Sequence, residues 1–304
     1  LEIMNKRLLM ICLSLIGGVI AIFTGIVFQH YYLSSQNLEE KIPQTTDGLN
    51  LQPFQSPHKE KKSPSIVRKT FYYGNSEENF VDIYYIGADR TAIFVHGGAF
   101  ITGSARSKKF RDYIRPYFLG RGYNVASVEY RKCTETDFKN VISDIYTGIK
   151  LALKKISALK NQTQIVYVGI SAGSTAGAIL LAGKNDFKID KQIKYFILLS
   201  GVYNPIQKTV LKRAPLCEGL LGYMNYSKNV SRDIHVFLIE GTEDSWDLYP
   251  QTNKSHLEYF KNILKAKGVK DVKTLWIEGG HSDTIMIFKE AQYLPLVDSF
   301  LGIK

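Results

Sequence analysis

The sequence predicts an α/β fold with a mostly parallel central sheet flanked by helices. Three observations carry that prediction. Short apolar, β-branched runs alternate with longer helical segments from about residue 70 to the end. One run, Gln164-Ile165-Val166-Tyr167-Val168, leads through Gly169-Ile170-Ser171-Ala172-Gly173 into the small-residue stretch Ser174–Ala182. Another, Thr91–Val95, opens onto His96-Gly97-Gly98-Ala99-Phe100. The pattern places strands near Thr70–Tyr73, Phe80–Ile86, Thr91–Val95, Asn124–Tyr130, Gln164–Val168, Tyr195–Leu199, Ile234–Ile239 and Val272–Ile277. It places helices over about Lys108–Leu119, Asp137–Leu159, Ala172–Ala182, Tyr249–Lys267 and Thr284–Leu301.

The strand, G-x-S-x-G turn and helix form the context of a nucleophile elbow. The flanking glycines allow a tight turn that lifts the Ser171 hydroxyl above the sheet, at the positive end of a helix. The alternative is an incidental glycine turn. The His96-Gly97-Gly98 segment, 75 residues upstream, argues against that alternative. Acyl transfer builds negative charge on an oxygen, and preorganised backbone N–H groups stabilise it without reorganising. Gly97 and Gly98 are the expected donors, with the N–H of Ala172, the residue after the serine.

A serine hydroxyl needs a base, and the base needs an acid that orients it. The expected chain order is serine, acid, histidine. Of six histidines, His256 and His281 follow both the elbow and a plausible acid turn. His256 falls within a helical segment and is expected on its solvated face. His281 follows the strand Val272–Ile277 and a Gly279-Gly280 turn, where catalytic groups gather in open α/β sheets. It is the expected general base. His96 precedes the serine and is expected to be a structural hydrogen-bonding residue of the oxyanion loop. His235 is expected to be packed or at an edge. The acid should follow strand Ile234–Ile239, in Gly241-Thr242-Glu243-Asp244-Ser245. Glu243, Asp244 and Asp247 are the candidates, and Asp244 is preferred for the room Gly241 gives the loop to turn back.

Several segments resemble the α/β-hydrolase branch that includes hormone-sensitive-lipase-type esterases, kynurenine formamidases and prenylcysteine methylesterases. Val128-Glu129-Tyr130-Arg131 resembles its strand-end "YR", and Asp144 its structural aspartate on the next helix. Leu199-Ser200-Gly201-Val202-Tyr203-Asn204, Gly241–Ser245 and Gly280-His281-Ser282-Asp283 resemble segments of the formamidase and methylesterase subgroups. Phe100 stands where many relatives carry Trp. The resemblance covers residues 70–304 and implies a serine carboxylic-ester hydrolase working through an acyl-enzyme. Ser171, Asp244 and His281 would be catalytic, with Gly97, Gly98 and Ala172 as the oxyanion hole. The substrate would be a small or lipid-like ester. Related expectations are a formamidase-type amidase or a prenylcysteine methylesterase. The non-enzymatic alternative is an inactive hydrolase fold used for binding. This chemistry calls for no metal or organic cofactor.

The N-terminus reads differently. Leu8 to Phe28 is uncharged and long enough to cross a bilayer core. Residues 1–28 are expected to be an uncleaved membrane anchor rather than a signal peptide. Lys6-Arg7 before the span and Glu39, Glu40 and Asp47 after it put the N-terminus in the cytoplasm and the rest outside. Residues 29–69, polar, basic and proline-containing, read as a flexible tether. The insert 205–233, rich in leucine, reads as a small lid or a packing loop. A net charge of +11 would suit nucleic acid, but no nucleic-acid motif accompanies it. A surface facing water or anionic lipid fits better. Cys133 and Cys217 could pair or remain as buried thiols.

Overall fold

The computed structural model describes residues 66–183, 185–187, 189, 191–204, 217–244 and 256–303. The anchor, most of the tether, the first part of the insert (205–216) and Asp247 lie outside the described residues. Eight strands form one sheet: β1 (Val67–Tyr72), β2 (Phe80–Tyr85), β3 (Arg90–Val95), β4 (Asn124–Val128), β5 (Gln164–Ile170), β6 (Tyr195–Leu199), β7 (His235–Gly241) and β8 (Asp271–Ile277), in the order β1-β2-β4-β3-β5-β6-β7-β8. β1 and β2 run antiparallel, and every other pairing except β2 with β4 is parallel. All eight strands match the runs read from the sequence. β1 starts three residues before the expected Thr70, so Val67–Lys69 join the sheet rather than the tether. Arg68 is held there by its bond to Asp82 at 2.8 Å.

The inner strands are apolar on both faces because helices cover both. Alternation sorts their side chains. Ile93 and Val95 join a core with Phe196, Leu198 and Leu238. Ala92 and Phe94 join the other with Ile197, Leu199 and Ile239. The first core is covered by α2 (Phe138–Ser157), α3 (Ala172–Ala182) and α5 (His256–Ala266). Asp137 caps α2, accepting from the Asn140 N–H at 2.8 Å. The second core is covered by a π-helical turn (Phe110–Ile114), α1 (Arg115–Gly120) and α6 (Leu294–Leu301).

Two expected helices differ in detail, both at proline. Pro116 has no N–H to donate, and the turn before it widens into the π form. The expected helix Thr284–Leu301 is two pieces, a 3-10 segment (Asp283–Phe288) and α6, with Pro295 in the first turn of α6. Proline suits a helix start and not its interior.

Within the insert, Cys217, Met224 and Tyr226 are buried, as is Leu220 of the short helix α4 (Leu220–Tyr223). This part packs into the first core. Cys217 is disulfide-bonded to Cys133, which lies beyond β4 and 84 residues away in sequence. The bond ties the insert beside the loop after β3: the Cys133 N–H donates to the Phe100 carbonyl at 2.8 Å. Closing so long a loop restricts the unfolded chain, an effect of about 3–5 kcal/mol. Reduction, or the Cys133→Ser/Cys217→Ser pair, should therefore lower Tm by several degrees. Equal melting of the reduced and oxidised protein would show that the bridge braces nothing.

Candidate active site

The parallel order brings the ends of β3, β5, β6, β7 and β8 into one row, and each contributes a loop to the site. Ser171 sits between β5 and α3 with φ +52° and ψ −115°, a conformation non-glycine residues rarely adopt. The glycines beside it serve another purpose than turning. A Cβ on Gly169 would lie 2.6 Å from the Gly173 carbonyl, and one on Gly173 would lie 2.1 Å from the Val95 carbonyl. Both are there so that α3 can pack against the strands. The strained residue is the serine itself, which projects its side chain out of the turn.

The Ser171 Oγ lies 2.8 Å from His281 Nε2. His281 Nδ1 lies 2.7 Å from Asp244 Oδ2. Asp244 is buried, with 1% of its surface exposed. Glu243 faces solvent, and among the described residues its backbone N–H donates to the Gly279 carbonyl at 2.9 Å. Of the three acid candidates, Asp244 is the one placed against His281, Glu243 points away, and Asp247 lies outside the described residues. Gly241 matters by contact: a Cβ there would meet the Gly279 carbonyl at 2.5 Å, so the acid and histidine loops touch directly.

Gly97 and Gly98 line a cavity of about 560 Å³ together with Ser171 and His281. A Cβ on Gly97 would lie 3.0 Å from the Ser171 Cβ, so the loop passes directly beside the serine. Among the described residues, the N–H groups of Gly97, Gly98 and Ala172 donate to no protein acceptor. Gly98, Ala99 and Phe100 all have positive φ. Phe100 is buried against Phe138 at a ring separation of 5.1 Å, filling the role of a large aromatic anchor.

His96 holds this loop from beneath, as expected. Its Nε2 lies 2.8 Å from Glu129 Oε1 and its Nδ1 2.7 Å from the Gly97 carbonyl. It stacks on Tyr130 at 4.3 Å. Burial alone would raise the Glu129 carboxyl, but the hydrogen bond and charge of His96, with Lys132, outweigh burial and hold it at about 2. Glu129 also accepts from the Ala105 N–H at 2.9 Å, which fixes the far end of the loop. Asp144 receives both guanidinium arms of Arg131, at 2.7 and 2.9 Å, and Asn79 at 2.9 Å. It is structural, as the family resemblance implied.

Two readings of histidine fared differently. His235 pairs with Asp271 at 2.6 Å and stacks on Tyr195, a packed position as expected. His256 is buried, not solvated. Its Nδ1 accepts from the backbone N–H groups of Tyr203 and Asn204, at 3.2 and 3.0 Å. It shares a helical stripe with buried Phe260 and Leu264, a spacing of four that was readable in the sequence.

Ser200 was missed as a site residue. It directly follows β6 with φ +48°, is 1% exposed, and donates from Oγ to the His281 carbonyl at 2.9 Å. Its Oγ also meets Thr284 Oγ1 at 2.8 Å. The Ser171 N–H donates to the Leu199 carbonyl, one residue earlier. The end of β6 therefore spaces the serine turn from the histidine loop. Its place in the row of strand ends was the available signal.

Comparison with known proteins supports the fold. The family model BD-FAE matches residues 81–218. Two Oryza sativa subsp. japonica proteins are similar: "Probable isoprenylcysteine alpha-carbonyl methylesterase ICMEL1", 29% identical over 46% of this chain, and "Probable isoprenylcysteine alpha-carbonyl methylesterase ICME", 25% identical over 61%. The aligned region spans 36% and 44% of those relatives' own lengths. Among solved structures, inhibited esterase B from Lactobacillus Rhamnosis aligns with a TM-score of 0.64 at 16% identity, over 93% of this chain and 94% of that one. Native esterase 2 from Thermogutta terrifontis aligns at 0.58 and 20% identity, over 79% and 92%. With its eight-stranded order and its serine turn after β5, the chain has the α/β-hydrolase fold.

Proposed function

We propose that the chain is a serine carboxylic-ester hydrolase. The observation that carries this reading is the run of short contacts from Asp244 through His281 to Ser171, ending in a cavity whose wall includes Gly97 and Gly98. His281 takes the Ser171 proton as the hydroxyl attacks the ester carbonyl. Asp244 keeps the Nδ1 proton in place and stabilises the imidazolium. The N–H groups of Gly97, Gly98 and Ala172 receive the oxyanion. Collapse expels the alcohol, which leaves with the proton returned by His281. Water, activated by the same base, then releases the acid and regenerates Ser171. The names of the similar rice proteins and esterase structures favour an ester over an amide. A panel of 4-nitrophenyl esters of increasing acyl length, run beside an aryl formamide, tests this. Turnover of the formamide alone would move the reading to an amidase.

The N-terminal part of the proposal is a single-pass anchor, Leu8–Phe28, with the hydrolase on the non-cytoplasmic side. Among the described residues no helix is long and apolar enough to cross a membrane, and the anchor lies outside them. The Cys133–Cys217 bond supports the non-cytoplasmic side, because disulfides persist in oxidising compartments. The insert is proposed as a lid or a packing loop, and its buried Cys217, Leu220, Met224 and Tyr226 favour the packing loop. The full chain is expected to stay with membranes through carbonate washing, because the attachment is hydrophobic. Protease added to sealed cells should reach the catalytic domain. Protection from protease would reverse the topology and favour a prenylcysteine methyl ester, the chemistry in the names of the rice relatives.

A further inference from the structure

The cavity beside Ser171 is walled by apolar groups, among them Phe94, Ile101 and Ile170. Among the described residues, Lys109 is the one lysine or arginine that lines it, and no aspartate or glutamate does. Its Nζ lies 3.0 Å from the Ser282 Oγ, one residue beyond His281. Among the described residues no carboxylate oxygen comes within 4 Å of it. The Asp283 carboxylate acts on it electrostatically and accepts the Gly280 N–H at 2.8 Å. Burial pushes the Lys109 ammonium down from its usual value, and the Asp283 charge opposes that only in part. A half-buried ammonium on an apolar wall is poorly solvated and gains from an anionic partner. Its own segment adds to the field. Lys108 and Arg111 are exposed beside it, with one exposed carboxylate, Asp112, and Arg106 is paired with Asp82.

We infer that Lys109 selects esters carrying an anionic group, a carboxylate or a phosphate, held beside the reacting carbonyl. The inference rests on the ester-hydrolase reading and deepens it by naming the substrate class. The ammonium would accept the anion in place of part of its hydration, with Ser282 holding the lysine in position. The exposed Lys108 and Arg111 would raise the encounter rate with such a substrate. The anion could belong to the acyl half or to the leaving alcohol.

The test compares matched esters on the full-length protein. Monomethyl adipate against dimethyl adipate puts the charge on the acyl side. 4-Acetoxybenzoate against its methyl ester puts it on the leaving group. Lys109→Met keeps the apolar stem and removes the charge. Lys109→Arg keeps the charge. For at least one pair, Lys109→Met should lower the anionic-to-neutral ratio of kcat/KM by about ten- to a hundredfold, the range of one charge-assisted hydrogen bond. The loss should fall mainly in KM for the anionic ester, and Lys109→Arg should restore most of the ratio. The pair that responds identifies which half carries the anion. A ratio unchanged within about twofold for both pairs, or an equal loss on charged and neutral esters, overturns the inference while leaving the ester-hydrolase reading intact. A wild-type protein that cleaves none of the four esters, nor any in the 4-nitrophenyl panel, brings down that reading and the inference with it.

Discussion

Ser171→Ala is expected to lower kcat on a 4-nitrophenyl ester by roughly 10³- to 10⁶-fold, the range over which nucleophile removal acts in serine hydrolases. The loss should fall on kcat rather than KM, because the hydroxyl makes its decisive bond only as the carbonyl is attacked. Stability should barely change. The Ser171 Oγ contacts His281, and no packed core depends on it. Alanine also inherits the same Cβ at φ +52°, so the strain of the turn is untouched. Ser171→Gly provides the internal comparison. It removes the same hydroxyl and also relieves the strained conformation, so it should be equally inactive and melt no lower than the alanine variant. An alanine variant retaining more than about a tenth of wild-type turnover would remove Ser171 from the mechanism.

The second large effect concerns the acid. Asp244→Asn should reduce kcat by about 10⁴-fold, because an amide that donates to Nδ1 leaves the imidazole in the wrong tautomer. Glu243→Gln should stay within a few-fold of wild type. Its carboxylate is exposed, and its contribution to the loop is a backbone N–H that the substitution keeps. The two variants differ by one position and preserve side-chain size, so the contrast isolates the contact with His281. A larger loss in Glu243→Gln would mean that the loop rearranges when substrate binds.

Much of this site was legible in the sequence because it depends on backbone paths that few residue types allow. The packing of Gly173 against Val95 and of Gly241 against the histidine loop needs glycine at those points, which is why short motifs mark the turns so clearly. Strands were equally legible, since runs such as Ile93–Val95 and Ile197–Leu199 must be apolar on both faces. What the sequence left open depends on three-dimensional contact. Glu243 and Asp244 differ in burial, and neighbours in one loop carry no local sign of which will turn inward. Cys133 and Cys217 pair across 84 residues, which spacing alone does not decide. Ser200 acts on a carbonyl 81 residues away, and Lys109 meets Ser282 across 173. His256 was a different kind of miss. Its stripe with Phe260 and Leu264 is visible in the sequence, yet a polar residue in a short helical segment reads as solvated when that stripe is not weighed.

The central claim is that Ser171 is a nucleophile activated by His281. A fluorophosphonate tests it most directly, because the reagent captures a serine only where a base raises its reactivity and donors stabilise the tetrahedral centre. Intact-mass and peptide mass spectrometry should find one phosphonyl adduct per chain, on the peptide containing Ser171. The adduct should be absent in Ser171→Ala and strongly slowed in His281→Ala. An unlabelled wild-type chain, or an adduct on another residue, would contradict the account.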